Sequence, residues 1–217
     1  MIAHLLFEGS STAYGKGDES GIGGYAGRFR EHFDLSEPLE GPCKWVYVHQ
    51  RGQLDNPLST FVHYLPTHVS EARSVVPGYR GKVRFLAILA VGGFMDYEVR
   101  RDSRDFVIKS WRNALDLLEV ECCYDGIEPI FLGLPRGDDT MRLRDGTVPD
   151  FALRDLLEEY TRRTATSLES PYYSFEEIIG GDVGTFMAAD KRHPNAAGHE
   201  RIFRFLSPLI NEYLEIV

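Results

Sequence analysis

The chain has 217 residues, of which 43 % are hydrophobic and 26 % charged, an ordinary make-up for one globular domain with a substantial core. Its formal net charge of -9 argues against nucleic acid or an anionic membrane as the main partner, because both need clustered Lys and Arg. No apolar run reaches bilayer-spanning length, and Cys43, Cys122 and Cys123 make neither a disulfide framework nor a zinc pattern, so all three are expected to be reduced packing thiols.

Met1 to Phe7 is too short for a signal peptide and has no basic leader. The expectation is a cytoplasmic protein whose first strand covers residues 4–8. A helix over 24–33 follows, with Tyr25, Phe29 and Phe33 on one face. Residues 44–49 read as a strand. Residues 59–73 read as a helix interrupted by Pro66. The apolar run 83–91 is a strand, and 105–121 a helix with Phe106, Ile108, Trp111, Leu115 and Leu118 at helical spacing. Residues 129–134 form a further strand and 150–166 a helix. A fifth strand candidate is 172–175, and the last helix is 196–214.

Strands that are almost continuously apolar are buried on both faces of a parallel sheet. Their alternation with amphipathic segments predicts right-handed βαβ units. The expected fold is therefore α/β: a three-layer α/β/α domain spanning 1–217, with a doubly wound parallel sheet of about five strands. Ligands of such sheets sit at the carboxyl ends of the strands. Here those ends carry Gly9, Gly52, Gly92-Gly93 and Pro135-Arg136.

The first of these ends reads Phe7-Glu8-Gly9-Ser10-Ser11-Thr12-Ala13-Tyr14-Gly15-Lys16-Gly17. A phosphate-binding loop needs G-x-x-x-x-G-K-[ST]. From Gly9 the second glycine falls one residue late, at Gly15, and Gly17 stands where a hydroxyl is required. The dinucleotide pattern G-x-G-x-x-G fails too, since Ser11 occupies its second glycine position. A nucleotide-binding α/β protein is thus the lesser alternative.

A serine nucleophile needs a base, usually a histidine held by a carboxylate. His4, His49, His63 and His68 lie in strand-like or helix-like patterns, His32 near a helix end, and His199 on the last helix. All six read as packing or surface residues. His193 differs, because Asp190 stands three residues before it and a tight turn brings that carboxylate to Nδ1. Pro194 and Asn195 then suit the start of the last helix.

Gly9-x-Ser11-x-Ala13-x-Gly15 together with Asp190-x-x-His193-Pro194-Asn195-x-x-Gly198-His199 resembles the end blocks of the SGNH or GDSL hydrolases. The two blocks bracket essentially the whole chain. The resemblance implies a flavodoxin-like fold and hydrolysis of a small or medium ester, for example an acetylated carbohydrate, without a cofactor or metal. It makes Ser11 the nucleophile, His193 the base and Asp190 its orienting acid, with the Ser11 amide donating to the oxyanion.

Three positions depart from that family's pattern. Ser10 stands where Asp is usual. In the second block Gly52 matches but the second glycine is missing, which leaves Gly52, Gln53, Leu54 and Asp55 as alternative amide donors. In the third block Gly93 and Asp96 match, but Met95 replaces an asparagine whose side chain donates to the oxyanion. A thioether cannot donate. Gly92 and Gly93 amides, or Gln50, Gln53 and Asn56 side chains, are candidate substitutes. A binding protein with a weakened oxyanion hole is the corresponding alternative function. Tyr14, Phe94 and Tyr97 are candidate pocket walls, and Arg136, Asp138 and Asp139 candidate cleft residues.

Overall fold

The computed structural model describes residues 1–33, 36–54, 57–92, 104–136, 142, 146, 148–180 and 183–216. Strands β1 (Ile2–Gly9), β2 (Trp45–Gln50), β3 (Val83–Ala90), β4 (Ile127–Leu132) and β5 (Tyr172–Tyr173) form one sheet in the order β2-β1-β3-β4-β5. Every pairing is parallel, and β1 and β3 match along their whole length, from Ile2 beside Val83 to Gly9 beside Ala90. This is the doubly wound order, whose direction of travel switches between β1 and β3.

Helices α1 (Ser11–Tyr14), α2 (Gly24–His32), α3 (Leu58–Phe61), α4 (Leu65–Ser74), α5 (Arg104–Asp125), α6 (Phe151–Ser167), α7 (Phe175–Ile179), α8 (Val183–Phe186) and α9 (Ala196–Leu214) fill the connections. They cover both faces of the sheet, as the apolar strands require. Ala3, Leu5 and Phe7 of β1 pack with Tyr25, Phe29, Ile202, Leu206 and Ile210 of α2 and α9. Leu6, on the other face, packs with Leu58, Phe61, Leu65, Trp111, Leu118 and Leu157 of α3 to α6.

The predicted strands lie within two residues of the observed ones, and the shift near Pro129 has a physical reason. A proline is normally excluded from a central strand because it lacks the ladder donor. Here β5 pairs only with Phe131 and Leu132. The Phe131 and Gly133 amides donate to Pro171 and Tyr173 carbonyls on that side. By alternation the missing Pro129 donor faces the same side, where no strand has yet begun, so β4 starts two residues earlier than predicted.

Pro66 does break the helical pattern of 59–73, into α3 and α4. It sits in the first turn of α4, where its absent N–H is not needed. Ser174, predicted to lie in a strand, instead caps α7. Its hydroxyl accepts from the Glu177 amide while the Glu177 carboxylate accepts from the Ser174 amide. That S-x-x-E signature was present in the sequence. Cys43 and Cys122 are buried thiols as expected, but Cys123 is exposed on α5.

Two polar pairs lie inside the α3–α6 face. His4 Nδ1 and His49 Nε2 are 2.9 Å apart. Burial pushes both imidazoles down to about 4, and for His49 the neighbouring His4 and Arg51 add to the effect. Glu8, fully buried, meets His68 Nδ1 of α4 at 2.9 and 3.0 Å. Among the described residues no helix is long and apolar enough to cross a membrane.

Candidate active site

The site begins where β1 ends. Gly9 has φ 132, and a Cβ there would lie 2.2 Å from the Ala90 carbonyl oxygen. Only glycine lets β1 finish this close to β3. Ser10 follows, buried, with Oγ donating to the Gly92 carbonyl at 2.9 Å. Its hydroxyl thus ties the end of β1 to the end of β3, across the switch point.

Ser11 opens the single turn α1, which the Tyr14 amide closes on the Ser10 carbonyl at 3.1 Å. Gly15, left-handed with φ 91, stops the turn, and a Cβ on it would meet Gly23 backbone at 2.6 Å. Thr12 and Ala13 point into the protein, while Ser11 is half-buried and Tyr14 is exposed.

The second part of the site is the loop before α9. The Ala188 amide donates to the His193 carbonyl at 2.8 Å, and the Asn195 amide to the Phe186 carbonyl at 2.9 Å. Asn195 Oδ1 caps α9 by accepting from the Gly198 amide at 2.9 Å, while Nδ2 donates to the Thr185 and Met187 carbonyls. Asp190 Oδ1 accepts from the Arg192 and His193 amides at 2.9 and 3.1 Å. Its other oxygen, Oδ2, is 2.6 Å from His193 Nδ1. His193 Nε2 is 2.8 Å from Ser11 Oγ.

Residues 182 positions apart in the chain are therefore brought into one hydrogen-bonded line. A carboxylate can only accept, so Nδ1 carries the proton and Nε2 offers its lone pair to the serine hydroxyl. Burial by itself would raise the Asp190 pKa. The hydrogen bonds from His193 and from the Arg192 and His193 amides outweigh it and hold the carboxyl below its ordinary range. For His193 burial wins: it lowers the imidazole pKa despite the opposing pull of Asp190, and Lys16 and Arg192 lower it further.

Gly52 lies where β2 runs out beside α1. A Cβ on it would stand 2.3 Å from the Tyr14 amide nitrogen and 2.4 Å from the Ala13 carbonyl carbon. The amides on either side are committed, Arg51 to the Phe7 carbonyl and Gln53 to the Gly9 carbonyl. The Gln53 amide is thus not an oxyanion donor. The Gly52 amide has no acceptor among the described residues. Gln50 also drops out, since its Nε2 donates to the carbonyls of Ala13, Tyr14 and Gly23. Gly93, Phe94, Met95, Asp96, Tyr97, Asp55, Asn56, Asp138 and Asp139 lie outside the described residues.

Sequence reasoning missed what holds the two halves together. The Asp18 side chain, fully buried, accepts from Arg28 Nη1 and the Gly24 amide at 2.7 Å each, and from Ser20. Arg28 also donates to Glu200 and to the Ala196 carbonyl at the start of α9. Burial opposes ionisation of Asp18, but these donors, Arg28 first, hold its carboxyl far below the usual range. His199, fully buried, has Nε2 3.1 Å from the Lys16 carbonyl. A Cβ on Gly17 would be 2.3 Å from the Pro194 carbonyl oxygen and 3.1 Å from His193 Cβ. The segment after α1 therefore packs directly against the base of the His193 side chain. No local motif marks Asp18 or Arg28, since one sits in a polar loop and the other on a short helix.

No protein-family model matches the chain, and no curated protein matches it in sequence. Solved structures do match. A lipase/acylhydrolase from Enterococcus faecalis aligns with TM-score 0.64 and 17 % identity, over 96 % of this chain and 97 % of its own. A carbohydrate acetylesterase family member from Sinorhizobium meliloti aligns with TM-score 0.62 and 14 % identity, over 100 % of both. A member of the lipolytic protein G-D-S-L family from Veillonella parvula gives 0.60 and 14 %, over 97 % of this chain and 99 % of its own. At such identities the likeness is one of fold: the chain has the α/β/α fold found in these lipase, acylhydrolase and acetylesterase structures.

Proposed function

We propose that the protein is a serine hydrolase of the SGNH/GDSL type that cleaves a small or medium carboxylic ester. The observation that carries this reading is the unbroken line Ser11 Oγ, His193 Nε2, His193 Nδ1, Asp190 Oδ2, with gaps of 2.8 and 2.6 Å. Its position at the carboxyl edge of β1, beside the switch point, is where ligands of such sheets bind. The end blocks of the sequence and the fold shared with esterase and acylhydrolase structures support it.

In this reading Ser11 Oγ attacks the ester carbonyl carbon and passes its proton to His193 Nε2. The imidazolium is stabilised by the Asp190 carboxylate. The negative oxygen accepts from the Ser11 amide, one of the first-turn donors a helix leaves without partners, and from the Gly52 amide. Collapse breaks the carbon–oxygen bond to the alcohol, which takes the proton from His193. Water then attacks the acyl-enzyme along the same path, with His193 again as base. An acetylated carbohydrate is one candidate among such esters, in line with the acetylesterase among the similar folds, and a preference for acetyl over longer acyl groups would single it out.

The base must be neutral to accept the serine proton, and His193 titrates below its ordinary 6.5. The kcat/KM profile is therefore flat through neutral pH and falls on the acid side, with its midpoint under 6.5. A midpoint above that value would contradict the environment assigned to His193.

A fluorophosphonate probe labels Ser11, and p-nitrophenyl acetate turns over. Absence of both in folded protein overturns the hydrolase reading. Met95 favours a second reading, a binding protein with an under-equipped oxyanion hole. Labelling together with turnover excludes that second reading, and a gain of about 100-fold or more in Met95→Asn shows a hydrolase site that is chemically intact but under-equipped.

A further inference from the structure

The α1 turn shows two residues to solvent. Thr12 and Ala13 are buried, whereas Ser11 is partly exposed and Tyr14 is 50 % exposed. Residues three apart share a helix face, so the tyrosine stands on the same side of the turn as the nucleophile.

Its base is rigid. The Tyr14 amide is bonded to Ser10, its carbonyl to Gln50 Nε2 at 2.8 Å, and Gly52 is pressed against its nitrogen. An exposed ring on a fixed backbone has only two side-chain torsions to lose on contact, which makes tyrosine an inexpensive contact surface. Leu54 follows two residues after Gly52 and is 47 % exposed. Two large exposed apolar side chains thus lie at, or within two residues of, the contact between Tyr14 and Gly52, where burial by a ligand would remove them from water.

The other side of the nucleophile belongs to His193, backed by Gly17. Because His193 must protonate the leaving oxygen, the alcohol departs on that side. With the oxyanion on the Gly52 amide, the acyl substituent is left the face of the turn that Ser11 shares with Tyr14. From this arrangement, and resting on the hydrolase reading above, we propose that Tyr14 is a specificity-determining residue. With Leu54 it forms the surface on which the acyl chain of the ester lies, so that acyl groups of a few carbons are favoured over acetyl.

The experiment compares p-nitrophenyl acetate with p-nitrophenyl butyrate for wild type, Tyr14→Ala, Tyr14→Phe and Leu54→Ala. Each methylene moved from water to an apolar surface is worth roughly 4-fold, so full contact of the two extra methylenes favours butyrate by about 15-fold. Tyr14→Ala is expected to erase that preference, with the loss falling on KM for butyrate rather than on kcat. Tyr14→Phe, which keeps the ring, retains the preference, and Leu54→Ala reduces it in part. Equal activity on both esters in wild type, or a Tyr14→Ala variant with the butyrate preference intact, overturns the assignment and leaves the hydrolase reading standing. A folded wild type that hydrolyses neither ester and resists fluorophosphonate removes both.

Discussion

Ser11→Ala lowers kcat on p-nitrophenyl acetate by about 10⁴- to 10⁶-fold with little change in KM, and His193→Ala does the same. The double variant is no worse than either single one. In the proposed mechanism nucleophile and base act as one unit, so losing either would leave only the binding and oxyanion contributions. Asp190→Asn costs about 10⁴-fold. An amide in place of the carboxylate can still accept from the Arg192 and His193 amides through Oδ1, so the loop keeps its shape. It no longer demands a proton on His193 Nδ1 or balances the imidazolium charge. The measurement is steady-state turnover of purified variants whose circular dichroism matches wild type. Full activity in either Ser11→Ala or His193→Ala would remove these residues from the mechanism.

Arg28→Ala destabilises the fold by about 3–5 kcal/mol, the cost of leaving a buried charge without its partner. Arg28 is 8 % exposed and the Asp18 side chain it meets is fully buried. The guanidinium also reaches Gly24, Ala196 and Glu200, so its loss frees the segment after α1 from the start of α9. Adding Asp18→Asn to Arg28→Ala recovers part of the loss, because the unpaired charge is gone. The sign of the pH effect follows from Asp18. Its folded pKa is depressed below the ordinary 3.8, so its stabilisation is complete above that value and fades as pH falls further. Urea unfolding of the three proteins at neutral pH decides the matter. A loss under about 1 kcal/mol, the range of an exposed ion pair, would show that the network is only superficial.

The strands of the central sheet were legible because a parallel strand buried on both faces is apolar at nearly every position. Leu5 and Phe7 enter one core and Leu6 the other. The site was legible for a different reason. Asp190 and His193 are three residues apart, so one turn built from local donors aligns them. Gly9 and Gly15 likewise bracket Ser11 at positions where only a residue without a Cβ fits. Where local signals competed, the outcome depended on neighbours. Pro129 enters a strand because β5 is too short to miss its donor, and Ser174 leaves one because Glu177 completes a cap.

Composition, hydrophobic period and two short motifs thus determined the fold class, the order of elements and the residues that carry the proposed chemistry. Tertiary structure alone decided which polar groups are paired. His4 finds His49, Glu8 finds His68, Arg28 finds Asp18 and Glu200, and Arg154 finds Glu176. It also decided which amides near the nucleophile candidate are spent. Gln53 donates to Gly9, whereas Gly52 is held against the α1 turn. A buried polar group must find a partner, but most of these partners come from other strands and helices, so they exist only once the sheet has brought its elements side by side.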